Sequence, residues 1–197
     1  MIILASASPR RKELLSQIVD TFSIHPSNYE ENLPSNISAY EAAEYLATQK
    51  ALDVKKEYPN DIVIGADTII VYKNKIYGKP NNKDEAKQML SMFSNDTHHV
   101  ITGVCVLKGQ KSISFTSISD VTFFDLTESE IDEYLKYDEY KDKAGSYAIQ
   151  GKANLFIKEI KGDYNSIVGL PIAKLNRILK NFNLWYQFEY IVTKGDF

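Results

Sequence analysis

The 197-residue sequence predicts an α/β protein with a mixed sheet. Apolar runs typical of strands alternate with segments whose apolar residues recur at the helical period of about 3.6 residues. The alternation does not follow the strict strand–helix–strand order of a purely parallel sheet, which is why we expect a mixed one. No linker, repeat or low-complexity tract divides the sequence, so we expect a single domain over residues 1–197.

The first half begins with a short buried strand, Ile2 to Ala5, and a turn that leads into a helix from Pro9 to about Ile18. Ser8 is a typical N-cap, and Pro9 suits the first helical position because its missing N–H costs no hydrogen bond there. The next predicted elements are a loop over residues 19–37, a helix from Ser38 to Tyr58 that begins with a capping box of Ser38 and Glu41, and a strand from Asp61 to Tyr72 interrupted at Gly65-Ala66-Asp67.

The second half continues the alternation of the two patterns. Thr127 and Glu130 form a second capping box at the start of a helix. The predicted elements are a short strand at Ile76-Tyr77, helices at Lys83–Phe93, Thr127–Tyr137 and Pro171–Phe182, long strands at Val100–Leu107 and Ser112–Phe124, and shorter strands at Tyr147–Ile149, Leu155–Ile160 and Leu184–Val192.

Charge and composition exclude several classes of function. The net charge of −3, from 23 basic and 26 acidic residues, disfavours a duplex nucleic acid partner, which requires a basic face. No stretch approaches the roughly 20 apolar residues of a membrane span, and the apolar start lacks the basic segment of a signal peptide. We therefore expect a cytoplasmic protein without a membrane partner. The single cysteine, Cys105, lies in an apolar run and is interpreted as a core thiol.

The turn Ser6-Ala7-Ser8-Pro9-Arg10-Arg11 has features of an anion site. A helix N-terminus presents unpaired N–H groups and partial positive charge, which attract phosphate. Arg10 and Arg11 oppose the helix dipole in that first turn, so their placement is better explained if they face an anion. Arginine also forms bidentate bonds to phosphate. From this pattern alone, solvated or otherwise paired arginines remain an equal alternative.

Three further segments carry residues suited to chemistry. Asp67 lies between two apolar runs, where an unpaired carboxylate is costly, so a lysine, a metal ion or a hydrogen-bond network should accompany it. Lys79 lies between Gly78 and Pro80 in a constrained loop, where it is either a phosphate contact or a surface lysine. Gln150 ends a segment bounded by glycines, and its amide could read a base edge by donating and accepting hydrogen bonds.

Together these motifs resemble the Maf family of nucleoside triphosphate pyrophosphatases. The resemblance covers nearly the whole chain, and the motifs occur in the family's order. They are Leu4-Ala5-Ser6-Ala7-Ser8-Pro9-Arg10-Arg11, Gln49-Lys50-Ala51, Gly65-Ala66-Asp67-Thr68, Gly78-Lys79-Pro80, Asp142-Lys143-Ala144-Gly145-Ser146-Tyr147, Ile149-Gln150-Gly151 and Gly169-Leu170-Pro171.

The resemblance implies a two-lobed Maf/inosine-triphosphatase-like α/β fold with a central cleft, often in a homodimer. It also implies hydrolysis of a nucleoside triphosphate to the monophosphate and pyrophosphate with a divalent metal, Mg²⁺ or Mn²⁺. The residue at Asp67 is the family's general base. Because one carboxylate does not easily serve as both metal ligand and base for the same water, these roles stay open between Asp67 and Glu31. The implied phosphate and metal site consists of Ser8, Arg11, Glu31, Lys50, Asp67 and Lys79.

The resemblance also predicts the base. Members similar to dTTP/UTP pyrophosphatases have Arg, Thr and Gln where this chain has Arg10, Thr68 and Gln150. Members acting on 7-methyl-GTP usually have an aromatic residue, Gln and Glu. A glutamine can both donate to and accept from the paired O4 and N3–H of uracil or thymine, whereas glutamate only accepts. The expected substrates are dTTP and UTP, including modified pyrimidine nucleotides. The alternatives are a nucleotide-binding regulator with little turnover and a purine-directed or 7-methyl-GTP-directed pyrophosphatase.

Overall fold

The computed structural model describes residues 1–193, with side chains to residue 182. The described residues form seven strands and six α-helices. Their sheet is mixed and the class is α/β, as the sequence predicts. The strands are β1 (Ile2–Leu4), β2 (Ser23–Ile24), β3 (Ile62–Tyr72), β4 (Lys75–Tyr77), β5 (Thr97–Lys108), β6 (Lys111–Phe123) and β7 (Ile157–Lys161). The helices are α1 (Pro9–Ser16), α2 (Ala42–Lys55), α3 (Lys83–Phe93), α4 (Glu128–Tyr134), α5 (Tyr164–Val168) and α6 (Ile172–Thr193).

The sheet has the order β2-β1-β3-β5-β6-β7, with β4 paired to β3. The pairs of β1 with β2 and with β3 are parallel, and all other pairs are antiparallel. The long strands β3, β5 and β6 form the centre. One face of the sheet packs against α2, and the other face contributes to a larger core with α1, α3, α4 and α6.

Local sequence explains several helix boundaries. Ser8 and Asn82 cap α1 and α3 by accepting hydrogen bonds from backbone N–H groups of the first turn. The predicted capping box of Thr127 and Glu130 is present at α4. Ser38 and Glu41 also exchange the bonds of a capping box, but they do so in a turn that precedes α2, so this helix begins at Ala42 instead of Ser38.

The strand β3 runs without a break through Gly65-Ala66-Asp67, contrary to the sequence prediction. Gly65 serves packing instead of a turn: a Cβ there would lie 2.2 Å from the carbonyl oxygen of Ala47 on α2. Gly103, on β5, has the same relation to the backbone of Ala43, with a contact of 2.3 Å. These two glycines therefore let α2 lie unusually close to the sheet.

Two other predicted strands are wrong. Tyr147 is extended, but the segment Tyr147–Ile149 pairs with no strand of the sheet, and a turn begins at Ile149. The segment Leu184–Val192 belongs to α6, because its backbone continues the helix begun at Ile172 despite the strand propensity of its aromatic residues. The helix α5 was not predicted, since five residues are too short for a periodic pattern.

His98 is a buried residue of the larger core. Its ring stacks on Phe93, and its Nε2 lies 2.7 Å from the hydroxyl of Tyr147. Burial is the main cause that lowers the pKa of His98 to about 3. The adjacent His99 pairs with Asp120, so the two histidines lie on opposite faces of the sheet, as neighbours on a strand do.

We expect His98→Phe to make the free energy of unfolding fall less steeply as the pH is lowered. The unfolded chain protonates this histidine below about pH 6.5, whereas the folded protein does so only near pH 3, so stability falls as pH drops through that interval. The contribution to the slope is about 1.4 kcal/mol per pH unit. Urea unfolding measured between about pH 6 and pH 4 checks this. Equal slopes for the variant and the wild type would show that His98 titrates normally in the folded protein.

Candidate active site

The candidate site lies along one edge of β3, between the strands β1 and β4. The strand β1 pairs with β3 only as far as Leu4 and Ile64, and β4 pairs with β3 only from Ile70 onward. Asp67 and Thr68 lie in the interval between these two partners. The turn that follows β1 leads directly into α1, so the N-terminus of α1 faces this interval at the carboxyl end of parallel strands, a usual place for ligands.

Asp67 and Thr68 are neighbours on β3 and therefore project to opposite faces of the sheet. Asp67 contacts Lys50 on α2, and Thr68 contacts Arg11 on α1. The close approach of α2 to the sheet brings Lys50 within reach of Asp67. Because the edge is open here, both faces contribute to one site.

The centre of the site is a lysine between two carboxylates. Lys50 Nζ lies 2.5 Å from Asp67 Oδ1 and 2.6 Å from Glu31 Oε1. The side chains of Lys50 and Asp67 are only 15% and 9% exposed, whereas that of Glu31 is 59% exposed. The sequence prediction that Asp67 needs a partner is thus confirmed, and its partner is Lys50.

The two carboxyls differ in their electrostatic environment. Burial raises the pKa of Asp67 above its ordinary value, although the positive charges of Lys50 and Arg11 act in the opposite direction. Burial also acts to raise the pKa of Glu31, but the hydrogen bond and charge of Lys50, together with Lys79 and Arg11, outweigh it and lower the pKa. The environments of the two groups thus push their pKa values apart, a pattern typical of catalytic pairs.

Arg11 is held by three hydrogen bonds. Its Nε donates to Gly169 O at 2.9 Å, its Nη1 to Ser6 Oγ at 3.1 Å and its Nη2 to Thr68 Oγ1 at 3.0 Å. Burial lowers the pKa of Arg11, and the charge of Asp67 raises it. A guanidinium stays ionised in proteins, so this fixed side chain supplies a permanent positive charge beside the carboxylate pair.

The turn before α1 has the structure of an anion site. Ser8 Oγ accepts from the N–H of Arg11 at 3.5 Å, and Ser6 Oγ accepts from the N–H of Ser8 at 3.3 Å. No acidic residue occupies the first turn of α1. The positive end of the helix is therefore left to an external anion, as the sequence motif suggests.

Three more cations lie around this centre. Lys79 is exposed in its loop, and its positive charge helps to lower the pKa of Glu31. Lys143 is partly buried: desolvation lowers its pKa, and Arg10 and Lys79 lower it further. The loop of Lys143 is joined to that of Lys79 by a hydrogen bond of 3.0 Å from Gly145 N to Gly78 O. Lys143 thus lies near Arg10 and Lys79, although the sequence assigned it no role beyond its place in a family motif.

The predicted residue Gln150 lies in a turn of its own. It is exposed in a turn closed by a hydrogen bond of 3.0 Å from Gly151 N to Ala148 O. Glu139 lies against this turn and accepts from the N–H of Lys152 at 2.7 Å, and the same carboxylate acts on Lys143. Within the described part of the chain, Gln150 forms no hydrogen bond with the other site residues. Its turn therefore borders the site without closing it.

The structure thus unites most of the predicted residues. Arg11, Glu31, Lys50 and Asp67 form a contiguous group, with Lys79 and Arg10 at its margin. Sequence reasoning did not single out Ser6 and Gly169, which accept hydrogen bonds from Arg11, or Thr102, which is hydrogen-bonded to Thr68. Of these, Gly169 had a signal in its Gly-Leu-Pro motif, whereas Thr102 lies inside an ordinary strand pattern.

This fold and this cationic site beside a buried carboxylate define an α/β protein whose site suits a phosphorylated ligand. The chain belongs to the Maf family, because it matches the family of Maf-like proteins over residues 1–182. In the described residues, no helix has both the length and the apolar character that crossing a membrane requires.

Two bacterial relatives show the closeness of the match. The dTTP/UTP pyrophosphatase of Bacillus cereus (strain G9842) is 50% identical over 183 residues, which make up 93% of this chain and 96% of the relative. The dTTP/UTP pyrophosphatase of Bacillus anthracis (strain CDC 684 / NRRL 3495) has the same identity and coverage. The solved structure of the Staphylococcus aureus Ham1 protein aligns with 91% of this chain and 98% of its own, at a TM-score of 0.50 and 11% identity. That likeness supports the inosine-triphosphatase-like fold.

Proposed function

We propose that this protein hydrolyses dTTP and UTP to the corresponding monophosphate and pyrophosphate. The observation that carries the proposal is the group formed by Lys50, Arg11 and two carboxylates at the N-terminus of α1. Such a group combines cations that can bind a triphosphate with a buried carboxylate that can orient or deprotonate water. The names of relatives at 50% identity supply the substrate class.

The chain's residues divide the work as follows. Arg11, Lys50, Lys79 and the N-terminus of α1 with Ser8 neutralise and orient the phosphates. Asp67 positions or deprotonates the attacking water, since it is the buried carboxylate beside the grip. The water oxygen bonds to the phosphorus that carries the nucleoside, and the bond from that phosphorus to the leaving pyrophosphate breaks. The cations stabilise the negative charge that pyrophosphate acquires.

A divalent metal, Mg²⁺ or Mn²⁺, fits the donors at this centre. Glu31 and Asp67 supply oxygen donors of the kind these ions prefer, and both now contact Lys50 Nζ, so an ion would take the place of one of these contacts. Among the described residues, no cluster of three or more His, Cys, Asp or Glu is arranged to hold an ion. Mg²⁺ is commonly held by one or two carboxylates together with substrate phosphates and waters. Glu31 would therefore hold the ion with the triphosphate where Asp67 is the base, and Asp67 would hold it where Glu31 is the base. When bound, the ion would supply Lewis-acid stabilisation of phosphate charge.

Arg10 and Gln150 are the residues we assign to selection of the base, and Thr68, the third residue of that set, contacts Arg11. Arg10 lies beside Lys143, and the turn of Gln150 meets the same loop through Glu139. An amide side chain can satisfy both the donor and the acceptor of a pyrimidine imide edge.

We expect Gln150→Glu to lower kcat/KM for UTP and dTTP by about tenfold to a hundredfold, because the carboxylate cannot donate to O4. Activity on GTP should be unchanged or raised. Steady-state kinetics with the four substrates UTP, dTTP, GTP and 7-methyl-GTP measure the effect. Gln17→Glu, at the far end of α1, makes the same chemical change away from the site and serves as the control. An unchanged ratio of UTP to GTP activity would remove Gln150 from base selection.

The same substrate panel on the unaltered protein tests the proposed function. Release of pyrophosphate from UTP and dTTP in the presence of Mg²⁺ or Mn²⁺, well above release from the guanine nucleotides, is the expected result. Tight nucleotide binding without turnover would indicate a regulator, and preference for GTP or 7-methyl-GTP would indicate a purine-directed enzyme.

We make three further proposals, on the location of the protein, its domain organisation and its oligomeric state. The nucleotide substrates are made in the cytoplasm, where we place the protein. Residues 1–197 are proposed to form one domain with two lobes, with the site in the cleft between them. We also propose a homodimer, following the family, and gel filtration with light scattering tests it.

A further inference from the structure

A chain of hydroxyl groups runs inward from Arg11 across two strands. Thr68 on β3 and Thr102 on β5 are directly opposite in the antiparallel register. Arg11 Nη2 lies 3.0 Å from Thr68 Oγ1, which lies 2.8 Å from Thr102 Oγ1. Thr102 Oγ1 in turn lies 2.7 Å from the carbonyl oxygen of Ser166 on α5. Thr102 and Ser166 are fully buried, so water does not compete for these bonds.

The chemistry of its two ends fixes the direction of every bond in this chain. The carbonyl of Ser166 only accepts, so Thr102 donates its single hydroxyl proton there. Thr102 can then only accept from Thr68, which uses its own single proton for that bond. A guanidinium only donates, so Thr68 Oγ1 accepts from Arg11. Thr68 therefore has no proton left to give to a carbonyl of a bound base.

The helix α5 provides a second anchor for the same guanidinium. Gly169, which ends α5, accepts from Arg11 Nε through its carbonyl at 2.9 Å. It has a φ of 133°, a conformation that residues with a side chain rarely adopt, so the direction of this carbonyl depends on glycine. With Ser6 holding Nη1, three of the five N–H groups of Arg11 are fixed and two remain for a ligand.

The structure assigns Thr68 and Thr102 as positioning residues for Arg11: their directed hydroxyl chain orients the guanidinium toward phosphate, and Thr68 donates no hydrogen bond to the base. This inference rests on the proposed function for the identity of the phosphate ligand. It predicts that loss of the chain weakens binding of every nucleoside triphosphate equally, because the group being misplaced contacts the part that all of them share.

The first experiment compares Thr68→Val and Thr102→Val with the hydroxyl-retaining variants Thr68→Ser and Thr102→Ser. Calorimetric binding of inorganic tripolyphosphate with Mg²⁺ should weaken about tenfold in both valine variants, the size expected for a hydrogen bond to a charged group. KM for UTP and for GTP should rise by the same factor with kcat little changed, and the serine variants should restore both. The double valine variant should be no worse than Thr68→Val, because the two residues act in one chain.

Two controls separate positioning from general damage. Thr122→Val breaks another cross-strand threonine pair on β5 and β6, in which the hydroxyls of Thr97 and Thr122 are 2.8 Å apart, and should leave tripolyphosphate binding unchanged. In an Arg11→Lys background, Thr68→Val should have little further effect, because lysine lacks the Nη2 group from which Thr68 accepts a hydrogen bond. If Thr102→Val does not fold, the Thr68 variants still decide, because Thr68 is only partly buried.

A changed ratio of UTP to GTP activity in Thr68→Val, with normal tripolyphosphate binding, would overturn the inference and make Thr68 a base-reading residue. Unaltered binding in both valine variants would overturn it as well, as would failure of the wild type to bind tripolyphosphate. If the wild type binds tripolyphosphate but releases no pyrophosphate from UTP, the proposed function fails. The binding series then still decides whether the hydroxyl chain orients Arg11.

Discussion

Asp67→Asn should reduce kcat for release of pyrophosphate from UTP by about a thousandfold, within the range known for loss of a general base. The amide has nearly the same shape as the carboxylate and can still accept from Lys50, which lies 2.5 Å from Asp67 Oδ1. It cannot take a proton from water, and it is a weaker ligand for a divalent ion. The fold should therefore survive while the chemical step is lost.

A coupled assay for pyrophosphate, with circular dichroism as the check on folding, measures this effect. The control is Asp61→Asn, which removes a carboxylate that pairs with the N-terminal amine at 2.6 Å, just before the same strand. This control should keep full activity. Near-normal turnover in Asp67→Asn with the fold intact would exclude Asp67 as the base.

Lys50→Met should have the second largest effect, because it removes the cation that two carboxylates share. Asp67 would remain almost buried next to Glu31 without its ion partner, and such a loss costs about 3 kcal/mol of stability. We also expect kcat/KM for UTP to fall by about a hundredfold, since one charge that neutralises the triphosphate is gone.

Urea unfolding and steady-state kinetics measure the two consequences of Lys50→Met separately. Lys56→Met is the matched control: it lies just beyond the end of the same helix α2, and its side chain is 76% exposed in a pair with Asp53. Exposed pairs of this kind contribute little to stability, so the control should behave as the wild type. A stable and fully active Lys50→Met protein would show that the carboxylates do not depend on this lysine.

The architecture could be predicted where local signals and packing agree. The helix α3 has the predicted bounds, since Asn82 caps it and its apolar residues follow the helical period. The long strands β5 and β6 show the alternation or apolar runs that sheet positions require. The prediction failed where tertiary context decides, as at Gly65, whose role is visible only once α2 lies on the sheet.

In the site, too, the sequence could point to some residues and not to others. An acid inside an apolar strand and two arginines at a helix start are costly alone, so the sequence could point to Asp67, Arg10 and Arg11 as candidates. The resemblance to the Maf family separated Arg11 from Arg10. That Lys50 is the partner of Asp67 depends on the approach of helix and sheet, which no spacing along the chain encodes. Thr102 gave no signal, because a threonine is an ordinary strand residue and its role comes from its cross-strand neighbour Thr68.

The most direct test of the central claim is the identity of the products formed from UTP by the wild-type protein. Phosphorus NMR of a reaction with Mg²⁺ or Mn²⁺ distinguishes the two positions at which the phosphate chain could be cut. We expect UMP and pyrophosphate to form in equal amounts, without UDP or free phosphate. Formation of UDP and phosphate, or the absence of any product while UTP stays bound, would contradict the claim.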